Sequence, residues 1–146
     1  MANPDGADMM MIKVQKMTGI TPATLSPNRV KAGMRVRVLG WGATCDGDDP
    51  NLCQSKVLKQ VDGKILNVRT NRDACQSFGT VDGHSLCGRT SKGVPAGGDS
   101  GGPMVTVAAK GKEHLVGVFF GSDRESMIGA DAVRPQRTWI RATLKT

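Results

Sequence analysis

The sequence predicts an all-β chain, an antiparallel β-barrel with a single α-helix at its C-terminal end. Three observations carry that prediction. The apolar residues fall in short runs, several with a period of two, rather than in long helical stripes. Within 146 residues, 19 glycines and 7 prolines punctuate those runs often, as short strands joined by tight turns require. Near the end, Pro135 followed by Trp139, Ile140 and Leu144 suggests a closing helix, since proline is tolerated in a first turn.

Asp8 leads through a turn into Met9-Met10-Met11-Ile12-Lys13-Val14, read as a buried strand whose three methionines fill core space. Thr18–Gly33, with Pro22 and Pro27, is a connector. Met34–Leu39 alternates apolar and basic residues as a half-buried strand does, and runs into Gly40-Trp41-Gly42, where glycines flank a large anchor. Val57–Val61 and Lys64–Val68 read as short strands or one bent strand, interrupted by Asp62-Gly63. Gly88–Gly102 is a long glycine-rich loop, and Met104–Val107 with Leu115–Phe120 forms a hairpin around Lys110-Gly111-Lys112. With aromatics at 3% and no tyrosine, the core falls to Val, Ile, Leu and Met.

Composition narrows the function classes. The net charge is +7, but the basic residues are scattered along the chain without interleaved aromatics, which argues against a nucleic-acid platform. No apolar stretch reaches membrane-spanning length, so no membrane partner is expected. Ala2-Asn3-Pro4-Asp5-Gly6 and the short apolar run Met9–Ile12 do not read as a secretory signal. Four cysteines allow three pairings; the local loops Cys45–Cys53 and Cys75–Cys87 are the simplest and imply an oxidising compartment. Neither C-x-x-C spacing nor grouped Cys/His ligands are present, and the acidic loop Asp46–Pro50 lacks EF-hand spacing. No metal and no cofactor are expected.

Chemistry concentrates in Gly97-Gly98-Asp99-Ser100-Gly101-Gly102-Pro103. A serine set among glycines lets backbone N–H groups approach a ligand closely. Two such groups aimed at one point make an oxyanion hole. A flexible turn is the bland alternative, and a phosphate loop is disfavoured because the Gly-Lys-Ser/Thr ending is missing.

Gly98-Asp99-Ser100-Gly101-Gly102-Pro103 resembles, at all six positions, the nucleophile motif of the chymotrypsin/trypsin family of serine proteases. Gly40-Trp41-Gly42 resembles that family's entry to its second barrel, and Asp8 with Met9–Lys13 its Asp-Ile-Ala-Leu-Leu-Lys strand. Cys75 and Cys87 sit where the family has a disulfide, Gly117–Gly121 is similar to the strand leading to Ser-Trp-Gly, and Trp139-Ile140 to the terminal helix. The resemblance spans essentially the whole chain in family order.

It implies a chymotrypsin-like second barrel over residues 34–146, with residues 1–33 a strand remnant and connector and the first barrel largely absent. It further implies serine endopeptidase chemistry on polypeptide substrates, with Ser100 the acyl-forming nucleophile and Asp8 the carboxylate orienting a histidine. Gly98 and Ser100 would supply the oxyanion hole, and Asp99 would receive the activating N-terminal ammonium. The backbone at Phe119 and Gly121 would pair with the substrate strand. Val94 and Pro95, at the pocket floor, imply an apolar or small P1 residue, because a buried ammonium there would lack a counter-charge.

The family's histidine lies well before the Asp8 strand, and His84 and His114 are read as surface residues. The expectation is therefore a truncated form of a secreted protease, inactive without a complementing N-terminal half. The alternative is a non-catalytic, protease-like binding module.

Overall fold

The computed structural model describes residues 7–15, 17–45, 53–78, 84–107 and 112–145. Among them run the strands β1 (Thr24–Leu25), β2 (Arg35–Gly40) and β3 (Lys59–Ile65), then a one-turn helix α1 (Arg72–Cys75) continued by a 3₁₀ turn, Gln76–Phe78. β4 (Ser85–Thr90), β5 (Pro103–Thr106), β6 (His114–Ser122), β7 (Met127–Ala132) and helix α2 (Arg137–Thr143) follow.

The order β6-β5-β2-β3-β4-β7 closes through a β6–β7 pairing into a six-stranded antiparallel barrel, with β1 added in parallel against β6. Closure removes the sheet edges that an open sheet would expose. The expected barrel with a C-terminal helix is what the chain forms.

Alternation explains the walls. In β2, Val36 and Val38 point inward while Arg35 and Arg37 point out. Val36, Val38, Ile65, Met104, Val116, Phe119, Ile128 and Ala130 pack together as the main core. A satellite cluster of Cys75, Phe78, Cys87 and Met127 surrounds the Cys75–Cys87 disulfide. The second bridge joins Cys45 and Cys53, so both expected pairings are present. Phe119, 2% exposed, sits at the centre of the core, which is thus not purely aliphatic.

Three element readings need correction, and one open alternative is settled. The run Asp8–Val14 is not a buried strand. Met9 is buried, but Met10, Ile12 and Val14 are 67%, 72% and 64% exposed, and only Met10 makes an isolated bridge. A strand needs a run of ladder pairs and a covering face, whereas this segment shows an isolated bridge at Met10 and leaves Met10, Ile12 and Val14 uncovered.

Of the two alternatives for Val57–Val61 and Lys64–Val68, the single strand is the one formed, with the narrower bounds Lys59–Ile65. Asp62 stays in the ladder opposite Arg37, and the bare Gly63 lies flat against the β4 backbone. The glycine-rich loop is shorter than expected, because Gly88-Arg89-Thr90 belongs to β4. β7 was not anticipated. All six of its residues are buried, so it lacks the alternation that marks a half-exposed strand.

The predicted hairpin is present as β5 and β6, with a register shift at Met104/Val105; its turn residues 108–111 lie outside the described residues, as do Asp46–Pro50. The helix begins two residues after Pro135, behind a buried Gln136. Among the described residues, no helix is long and apolar enough to cross a membrane.

Candidate active site

The loop between β4 and β5, residues 91–102, is stitched to the barrel on both sides. On one side Ala43 N–H donates to Gly97 C=O at 2.8 Å. On the other, Gly101 N–H donates to Phe119 C=O at 2.8 Å and Phe119 N–H to Gly102 C=O at 2.9 Å. Within the loop, Asp99 N–H reaches Ala96 C=O and Gly102 N–H reaches Asp99 C=O, so one tight turn ends at Asp99 and the next carries Ser100 as its second residue. Gly98 and Gly101 hold φ of 94° and 83°, the left-handed region where a side chain is strained, which explains the glycines on either side of Asp99-Ser100.

The two residues between those glycines point opposite ways. Asp99 turns inward. Its Oδ1 accepts Gly42 N–H at 2.7 Å and its Oδ2 accepts Ala96 N–H at 3.0 Å. This carboxylate presses so closely on Gly40 and Gly42 that a Cβ at either position would overlap it. The Gly-Trp-Gly element therefore exists to admit Asp99, and Asp99 ties that element to the serine loop.

Ser100 turns outward and is exposed; its hydroxyl donates a long hydrogen bond, 3.4 Å, to Phe120 C=O. Among the described residues, neither Gly98 N–H nor Ser100 N–H has a hydrogen-bond acceptor.

Ser100 opens on a cleft of about 680 Å³ whose lining includes Asp8, Met9, Leu25, Phe119, Phe120 and Trp139. The fold thus brings Ser100 and Asp8, 92 positions apart in the chain, to one cleft. The Asp8 side chain is exposed and makes no hydrogen bond or ion pair among the described residues. A second cavity, about 170 Å³, is lined by Gly40, Gly42, Val94, Pro95 and Asp99 among others. Val94 and Pro95 therefore share a cavity with Asp99, whereas Phe119 shares the larger one with Ser100.

Both polar backbone groups of Phe119 are held by Gly101 and Gly102. Gly121 pairs with Gly129 beside a register shift in β6. Phe120, whose carbonyl meets the Ser100 hydroxyl, escaped the sequence reading although it lies between Phe119 and Gly121. Ser122 also went unmarked; its hydroxyl donates to Pro95 C=O at 2.8 Å and fastens the loop to the end of β6.

Neither histidine lines either cavity. Both are half-buried rather than fully exposed: His84 Nδ1 lies 3.0 Å from Gln136 Nε2, and His114 Nδ1 lies 2.8 Å from Thr24 Oγ1. Among the described residues no group of three His, Cys, Asp or Glu side chains gathers where it could hold a metal ion.

A family model described as Trypsin matches residues 1–139. The chain belongs to the trypsin family. This trypsin-family chain is 31% identical to human granzyme M over 137 residues, covering 88% of the chain and 51% of that relative. It is 36% identical to serine protease 1 of Drosophila melanogaster over 117 residues, 75% of the chain and 40% of the relative. Its fold is similar to that of mouse neuropsin, a serine protease expressed in the limbic system. The TM-score is 0.66 at 25% identity, over 86% of this chain and 54% of the neuropsin chain. The trypsin-family chain thus spans about half the length of these relatives.

Proposed function

We propose that this chain is the nucleophile-bearing part of a secreted serine endopeptidase and that Ser100 forms the acyl-enzyme. One observation carries the reading: an outward serine hydroxyl and a carboxylate with no partner among the described residues line one cleft, and the N–H groups of Gly98 and Ser100 have no acceptor among the described residues. A serine hydroxyl is a weak nucleophile until a base removes its proton. His84 and His114 are held at other sites, so the base is a histidine supplied from outside residues 1–146, oriented by Asp8.

In the first step Ser100 Oγ bonds to the substrate carbonyl carbon, its proton passes to that histidine, and Gly98 N–H and Ser100 N–H receive the oxyanion. Collapse expels the amine, which takes the proton, and leaves an acyl group on Ser100. Water then repeats the sequence and releases the acid. Asp99, in its cavity, takes the new N-terminal ammonium of the activated chain. That contact would tighten the turn carrying Gly98. An apolar pocket floor at Val94 and Pro95, and with it a small or apolar P1 residue, rests on the family resemblance, because these two residues line the Asp99 cavity and not the Ser100 cleft. Residues 1–33 act as remnant and connector, and residues 34–146 as the barrel.

Labelling with a fluorophosphonate probe tests this reading. The chain is mixed with the N-terminal half of a trypsin-family protease, and association is followed by size-exclusion chromatography. Covalent labelling of Ser100 in the associated complex, abolished in Ser100→Ala, is the expected result. An associated complex with an intact Asp8 and histidine that leaves Ser100 unlabelled would falsify it, and would favour a protease-like module that binds polypeptides without cleaving them.

A further inference from the structure

The basic residues that look scattered in the sequence are gathered by the sheet. Register places Arg35 of β2 directly opposite Lys64 of β3, and Lys64 directly opposite Arg89 of β4. Residues paired in this way point to the same face, here the outer one, since all three are exposed while Val36, Ile65, Gly88 and Thr90 face inward. Three cations therefore stand in one rung across two interstrand steps, roughly 10 Å.

Like charges directly opposite one another destabilise a sheet. The neighbouring acids relieve this rung only weakly, and only at Arg35. Asp62, in the next rung, is held by Arg37 at 2.6 and 3.1 Å and reaches Arg35 only at 3.7 Å. Glu113 also turns to Arg37. Among the described residues, Lys64 and Arg89 have no ion-pair partner.

We propose that this outer face of β2, β3 and β4 is a binding surface for a sulfated polysaccharide, engaged by Arg35, Lys64 and Arg89. A row of exposed cations is suited to repeating anionic groups, whose condensed counterions are released on binding. Two features favour a sulfated glycan over a nucleic acid. The rung has no aromatic side chain on which a base could stack, and the exposed Trp41 lies past the far end of β2, beside the serine loop. The two disulfides fit the oxidising setting in which sulfated glycans occur.

The test is binding of a fluorescent heparin oligosaccharide to the full chain over a series of salt concentrations. Wild type is compared with the double variant Lys64→Gln/Arg89→Gln and with Arg141→Gln/Lys145→Gln, which removes the same charge from exposed positions at the end of the chain. The rung variant is expected to bind roughly tenfold more weakly at physiological salt and to lose about two from the slope of log K against log salt. The control is expected to change affinity less than about twofold. Equal losses in the two variants would reduce the effect to diffuse net charge and overturn the proposal. Displacement of heparin by a single-stranded oligonucleotide at equal or lower concentration of charge would overturn it in favour of nucleic acid. Thermal unfolding supplies a readout independent of binding: Lys64→Gln should leave the midpoint unchanged or raise it. A lowered midpoint would make the rung structural and count against the assignment.

Discussion

The loop carrying Ser100 and the N-terminal segment carrying Asp8 face the same cleft but are built in opposite ways. The loop is fastened to Ala43, Gly42, Phe119 and Ser122, and its inward carboxylate has two N–H donors. The segment from Asp8 to Ile20 leaves Met10, Ile12, Val14, Met17 and Ile20 each more than 60% exposed. Half of the candidate site is therefore held by this barrel's own hydrogen bonds. The other half lies on apolar surface with little of the barrel against it, as expected of a surface that packs on something further. The contrast separates what this chain specifies alone from what an association would have to order.

The largest expected effect strikes the fastened half. Gly40→Val would drive a branched side chain into the Asp99 carboxylate, which must then leave its two donors. Overpacking together with loss of hydrogen bonds to a charged group predicts destabilisation of roughly 3 kcal/mol or more in urea unfolding. A variant as stable as wild type would show that Asp99 does not anchor the loop.

Methionine provides a matched pair for the next prediction. Met104 is fully buried in the barrel and Met10 is 67% exposed. Met104→Ala should cost about 2–5 kcal/mol and Met10→Ala within about 0.5 kcal/mol of nothing for the chain alone. If a complementing half covers the segment, Met10→Ala should instead weaken its association, as read by analytical ultracentrifugation. Similar unfolding penalties for both methionines would erase the distinction between the two regions.

The same pair shows what could be read in advance. All the methionines invite the description of core filler, because side-chain chemistry reports what can be buried and not what is there to cover it. Where a local rule decides, the sequence is sufficient. Alternation in Arg35–Leu39 marks β2, and glycines around Asp99-Ser100 announce a loop with left-handed backbone. Where a distant neighbour decides, it is not. Gly129 sits in β7 because the rings of Phe78 and Phe120 cover it, and a single sequence position carries no sign of either ring. The cationic rung is hidden for a related reason: Arg35, Lys64 and Arg89 become neighbours only through register.

Carboxylates offer a finer form of the contrast. Asp123 Oδ1 accepts the N–H groups of Glu125, Ser126 and Met127, each at 2.8 Å, and so closes the β6–β7 turn in which Arg124 has φ of 65°. Burial alone would raise its pKa, but those three donors favour the charged form and hold it below the usual carboxylate value. Asp123→Ala should destabilise by about 1 kcal/mol. Asp8→Asn, whose side chain has no partner among the described residues, should leave unfolding unchanged within about 0.5 kcal/mol. Hydrogen exchange at Ser126 and Met127 checks the first directly, because their amides lose their acceptor.

The smallest effect concerns Asp62 and has a defined sense with pH. Its hydrogen bonds to Arg37 outweigh partial burial and hold its pKa below the ordinary value. The folded state then binds a proton less readily than the unfolded chain. The stabilisation is complete above the unfolded pKa, about 4, and is lost as pH falls through the lower folded value. The pair is substantially exposed, at 22% and 38% of the two side chains, so about 0.5 kcal/mol is the appropriate scale. Asp62→Asn should therefore be less stable than wild type by that amount at neutral pH, and the difference should shrink as acidification protonates Asp62 and vanish at a pH below its lowered folded pKa. A difference that persisted undiminished at that pH would trace the effect to packing in β3 rather than to charge. Removing Asp62 also leaves Arg37 without its main partner, so heparin should bind this variant more tightly at neutral pH even as its fold weakens. Movement of the two properties in the same direction would mean that Asp62 does not set the charge of that face.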